Sequence, residues 1–144
     1  MNTALHAPQA ARFLDGFVKL RFLPSLFGDD FMRAENNVYL YAARYLTNYN
    51  GGEWTFVHLE QGGGYMIPPD GTWRFENPEN WSVAEVSADA AGIIITALVL
   101  NHRSWMYDRH DEEELCALFC RRHRQLMVWA ETHPEAAAIF RALD

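Results

Sequence analysis

The chain has 144 residues, 49% hydrophobic and 14% aromatic against 22% charged; that balance supports one domain with a real core and excludes disorder. Its longest apolar run, Ala90 to Leu100, is far short of the roughly 20 residues that span a bilayer, so no membrane partner is expected. A net charge of −7 argues against a basic face, and no stable duplex DNA binding by the free protein is expected.

Residues 1–20 have weak periodicity and read as a variable, partly ordered N-terminal arm; residues 21–144 read as a single α+β domain. The start, Met1 to Pro8, lacks the basic and apolar stretches of a signal peptide, which makes a cytoplasmic location the expectation. Pro24 is expected to break the next stretch, and Gly28-Asp29-Asp30 to open a helix. Its apolar stripe is Phe31, Val38, Ala42, Tyr45 and Tyr49, closed by Asn50-Gly51-Gly52. The period then becomes two. Trp54 to Leu59, Tyr65 to Ile67, Thr72 to Phe75 and Trp81 to Val86 read as an antiparallel β-meander of three to four strands, with turns at Gly62-Gly63-Gly64 and Asp70-Gly71.

Three helices follow. Ser87 is positioned to cap one from Ala88 to about Trp105, with Asp89 in its first turn. Asp111 with Glu114 forms a capping-box pattern for a second, reaching about Glu131. Thr132, Pro134 and Glu135 spell the start of a last, short helix. Helices before and after an antiparallel meander make an α+β plan.

Catalytic, cofactor and metal patterns are absent from the sequence. Gly62-Gly63-Gly64 leads into a strand, so it reads as a hairpin turn and not a phosphate loop. Cys116, Cys120 and His123 share a helix face, but no second ligand pair accompanies them; the two cysteines read as reduced, buried core thiols without zinc. No Gly-x-Ser-x-Gly elbow occurs, and the six histidines are scattered. The acidic run Asp108, Asp111 and Glu112 to Glu114 reads as a solvated helix start, because Arg121, Arg122 and Arg124 soon follow.

Two residues stand out as partner-binding candidates. Glu35 lies inside the apolar stripe of the first long helix, where an unpaired carboxylate is costly. It is expected to meet a partner group, such as an arginine, to sit on a surface that another molecule covers, or to lie at the edge of the stripe with its carboxylate in solvent. Trp54 is an aromatic beside a glycine turn; Trp73 and Trp81 raise the same choice between core and interface anchor.

Several blocks carry a family likeness: Phe22-Leu23-Pro24 with Phe27-Gly28, Tyr49-Asn50-Gly51-Gly52 with Trp54 and Phe56, and Gly63-Gly64-Tyr65-Met66 with Pro68. The strongest is Ser87-Ala88-Asp89-Ala90-Ala91-Gly92-Ile93, followed by Asn101 and, near the end, His133-Pro134-Glu135. In this order they resemble the ArdB/KlcA family of antirestriction proteins over residues 20–144, with 103–111 matching least. The resemblance implies an antiparallel sheet surrounded by helices. It also implies that the protein protects incoming plasmid or other mobile-element DNA by inhibiting type I restriction-modification enzymes. The partner would be such an enzyme, or a host factor acting with it, met through protein binding and not through DNA mimicry or catalysis. The alternative is a small hydrolase or metal-dependent enzyme whose site assembles only in the fold.

Overall fold

In the computed structural model, which describes residues 11–13 and 18–144, β1 (Ala11–Phe13) and α1 (Val18–Phe27) lead through a 3-10 turn (Gly28–Asp30) into α2 (Phe31–Tyr45). Four strands come next: β2 (Thr55–Leu59), β3 (Gly64–Ile67), β4 (Thr72–Asn77) and β5 (Ser82–Ser87). The helices α3 (Ala88–Arg109), α4 (Glu113–Glu131) and α5 (Ala136–Leu143) complete the chain. Helices bracket an antiparallel meander, the expected α+β plan.

The meander is divided in two. β2 pairs with β3, and β1 adds to the far edge of β2, whereas β4 pairs with β5 in a separate two-stranded sheet. The physical reason lies at β3's other edge. There the Met66 N–H donates to Thr96 Oγ1 of α3 at 3.1 Å, so the helix occupies the place a fourth strand would take. The apolar run of the sequence is this helix. From Ala90 through Val99 and Leu100 nearly every side chain is buried, as expected of a helix that is hydrophobic all round. It packs against α4, α2, α5 and β3. Gly92 permits the approach to β3, since a Cβ there would lie 2.2 Å from the Met66 carbonyl oxygen. Among the described residues, no helix is long and apolar enough to cross a membrane.

Several boundaries differ from the sequence reading. Pro24 sits inside α1; it and Leu20 are exposed, so the carbonyl left without an N–H partner has water at hand. α2 ends at Tyr45, short of Tyr49, because Leu46 turns extended and bridges Phe75. α3 runs one turn beyond Trp105. The capping box at Asp111 does not form: Asp111 has φ 57° and α4 starts without a side-chain cap. Pro134 precedes α5, and the Thr132 hydroxyl donates to the Trp129 carbonyl.

Candidate functional site

Glu35 is partnered by a neighbour on its own helix. Tyr39, one turn along α2, donates its hydroxyl to Glu35 Oε2 at 2.7 Å. Burial, reinforced by this carboxylate, pushes the Tyr39 phenol well above its ordinary range, so it stays a donor. The Tyr39 ring meets Trp54 edge-on at 5.6 Å. Trp54 is only 5% exposed and donates its indole N–H to the Tyr49 hydroxyl at 3.1 Å. Tyr49 in turn contacts Trp73, whose indole donates to the Pro69 carbonyl. The two sequence candidates thus belong to one chain of contacts, Glu35–Tyr39–Trp54, with a phenol where an arginine was one expected partner. Tyr39 was missed, although Glu and Tyr four apart on a helix were visible in the sequence.

The two sequence blocks at 87–93 and 133–135 meet in space. Ser87 caps α3, accepting the Ala90 N–H at 3.1 Å, while its own N–H donates to Glu135 Oε1 at 3.0 Å and its hydroxyl bonds the other Glu135 oxygen. Asp89 Oδ1 accepts the Tyr65 hydroxyl at 2.7 Å, and Oδ2 lies 2.7 Å from His133 Nε2. His133 Nδ1 accepts the Glu135 N–H at 2.9 Å, which puts the ring hydrogen on Nε2. Burial, then Asp89, drives the Tyr65 phenol far above its ordinary value. Serine, histidine and aspartate are close here, but the serine hydroxyl serves Glu135 and the helix end, and both imidazole nitrogens are engaged. Chemically this is a brace that fastens the start of α3 to the α4–α5 turn and to β3.

The cysteines depart from expectation. Cys116 is half-buried and Cys120 exposed, both as free thiols. The buried stripe of α4 is Phe119, Leu126, Trp129 and Ala130, and Cys120 stands one residue, roughly 100°, round the helix from Phe119. Partial burial, then the neighbouring Cys120, raises the Cys116 thiol. Among the described residues, no group of three His, Cys, Asp or Glu side chains is arranged to hold a metal. Asp111 to Glu114 are exposed, with Glu113 and Glu114 in the first turn of α4, where the helix dipole favours them.

Two histidines carry a pH signature. Burial pushes the His102 and His123 imidazoles below their ordinary 6.5; His102 Nδ1 also lies 2.9 Å from the Tyr41 hydroxyl. The unfolded chain takes up protons that the folded one resists. Their contribution to stability is therefore intact above about pH 6.5 and is lost as pH falls below it. The urea midpoint is expected to drop between about pH 7 and 5.5, above the carboxylate range, and His123→Gln to flatten that drop. Equal midpoints across this window would contradict the assignment.

Comparison with known proteins places this architecture. The family model described as antirestriction protein matches residues 47–144. The putative antirestriction protein YubI of Escherichia coli strain K12 is 47% identical over 126 residues, covering 88% of this chain and 89% of the relative. The antirestriction protein KlcA of Escherichia coli is 41% identical over 131 residues, covering 88% and 87%. One solved structure matches over 100% of both chains with a TM-score of 0.84 at 38% identity. The KlcA and ArdB proteins of that structure show a novel fold and antirestriction activity against type I DNA restriction systems in vivo but not in vitro. With the fold and the sequence blocks in agreement along the chain, this protein belongs to the ArdB/KlcA family of antirestriction proteins.

Proposed function

We propose that the protein protects incoming mobile-element DNA by inhibiting type I restriction enzymes through a protein contact centred on Glu35 and supported by Tyr39 and Trp54. The observation that carries this reading is the state of Glu35. Its carboxylate is half-buried on α2, held by a neutral phenol, with no ion pair to a basic group among the described residues. A carboxylate so placed gains from a cation supplied by a partner, where the low dielectric strengthens the pair. Trp54 serves from beneath, fixing the Tyr39 ring that orients the carboxylate.

Neither catalysis nor imitation of DNA is part of this reading. The Ser87 hydroxyl and the His133 nitrogens are occupied in bracing the fold, and the carboxylates of the 108–114 run are soon followed by arginines. The in vivo but not in vitro activity of the KlcA and ArdB proteins suits a contact that needs a cellular component, either the enzyme at work or a host factor acting with it. Free protein is expected to leave duplex DNA unshifted at physiological salt.

Phage plating tests the reading. In cells with an active type I system, expression is expected to raise plating of unmodified phage while host methylation is spared. Glu35→Gln is expected to keep the fold and lower protection by about thirtyfold, the effect of losing an interface anchor of about 2 kcal/mol. Tyr39→Phe should lower it less, with Trp54→Ala reported only alongside a melting curve, since that ring is core. Wild-type protein, abundant and folded, that fails to protect against several type I systems would refute the function. Full protection by folded Glu35→Gln would refute the contact alone.

A further inference from the structure

The meander carries three tryptophans with different fates. Trp54 and Trp73 are buried, whereas Trp81 is 87% exposed. It also sits at φ 61° in the turn between β4 and β5, a conformation that bulky side chains rarely adopt. The turn is fastened so that it cannot relax. Asn77 Oδ1 accepts the Glu79 N–H at 2.9 Å, and Asn80 Oδ1 accepts the Ser82 N–H at 3.0 Å. The Asn80 amide donates to the carbonyl oxygens of Ala142 and Asp144 at 3.0 and 2.9 Å, and the Ser82 hydroxyl to that of Arg141 at 2.9 Å. Asn80 and Ser82 thereby satisfy the last carbonyls of α5.

The flanking residues serve the fold; the indole between them does not. It faces solvent, where asparagine or glycine would accept the same backbone with less strain. Strain retained around an exposed aromatic points to use by another molecule. The ring borders a cleft of about 530 Å³, shared with Val83, Arg141 and Asp144, and Val83 is itself 55% exposed. On this hairpin and the adjoining end of α5, Glu76, Glu79, Glu85 and Asp144 outnumber Arg74 and Arg141, and Arg74 is already paired with Glu76 at 2.6 Å. The surplus charge is negative, which disfavours nucleic acid and favours a basic protein surface.

We propose that Trp81 anchors a protein-contact surface whose partner offers an apolar pocket for the indole, bordered by arginine or lysine. The inference rests on the reading that the protein acts by protein contact, and it adds a second surface to that of α2. Trp81→Asn relieves the backbone and removes the ring; Trp81→Phe keeps an aromatic; Glu79→Lys/Glu85→Lys reverses the surplus charge of the hairpin. The expected result is a melting temperature for Trp81→Asn equal to or above wild type, with protection of unmodified phage reduced at least thirtyfold. Trp81→Phe should retain most protection, and the charge reversal should lose it with the ring intact. Wild-type protection measured in the same cells separates the two readings: if wild type fails, the function fails, not this surface. Folded Trp81→Asn that protects like wild type overturns the proposal, as does a lowered melting temperature, which would make the ring structural. Sedimentation of wild type as a dimer that Trp81→Asn splits would also overturn it, assigning the surface to a second copy of the chain.

Discussion

Gly92→Ala is expected to lower the melting temperature by about 10 °C, although alanine is the better helix former by about 1 kcal/mol. The new methyl would lie 2.2 Å from the Met66 carbonyl oxygen and 2.9 Å from the Ile67 Cα. Both are backbone atoms of β3, so no side chain can swing aside. α3 cannot retreat either, because its other sides are packed against α2, α4 and α5. Overpacking a core costs about 1–3 kcal/mol when side chains can adjust and more when they cannot. A net loss of about 3 kcal/mol follows. Thermal melting followed by circular dichroism reads it directly, and a midpoint within about 2 °C of wild type would show that helix and sheet can slide apart cheaply.

Asp30→Ala is expected to cost about 3–5 kcal/mol, far more than loss of a surface charge. Asp30 Oδ2 accepts Arg103 Nη2 at 2.6 Å and the Tyr107 hydroxyl at 2.5 Å, while Arg103 Nη1 donates to Asn37 Oδ1 at 2.5 Å. Arg103 is only 8% exposed, so removing Asp30 leaves a guanidinium in the interior without its counter-charge. Arg103→Met on the same background removes that charge and is expected to recover part of the loss. Urea unfolding of the two single variants and the double variant gives the coupling, and additive losses would place the pair in solvent-like surroundings.

This network also marks what the sequence could and could not yield. The period-two stretch from Trp54 to Val86, the run Ala90–Leu100 and the Ser87 cap were legible because each is a local pattern with a local cause. Asp30 was legible only as part of a helix start; its carboxylate makes no cap bond and reaches Arg103 across 73 residues, a pairing that no spacing rule encodes. The division of the meander was equally hidden. It depends on Thr96 meeting Met66 and on a glycine thin enough to let α3 approach. The cysteine stripe misled for another reason: at a helix-face edge, one residue of rotation decides between core and solvent. As for the proposed contacts, Glu35 and Trp54 stood out as local oddities, Tyr39 became visible through the fold, and Trp81 separated from the buried tryptophans only when its turn was placed.

The brace at the start of α3 has a consequence for how the chain is made. Ser87 and Asp89 are satisfied by Glu135 and His133, 48 and 44 residues later, and the β4–β5 turn is closed by backbone oxygens of Arg141, Ala142 and Asp144 at and just past the end of α5. During synthesis the central helix and the hairpin emerge before the residues that pair with them in the α4–α5 turn and around the end of α5. Contacts this distant in sequence form late and make folding slow and cooperative. A chain stopped by a nonsense codon before His133 is therefore expected to lack the groups that complete the fold and to be cleared by proteolysis, not to persist as a weakened version of the protein.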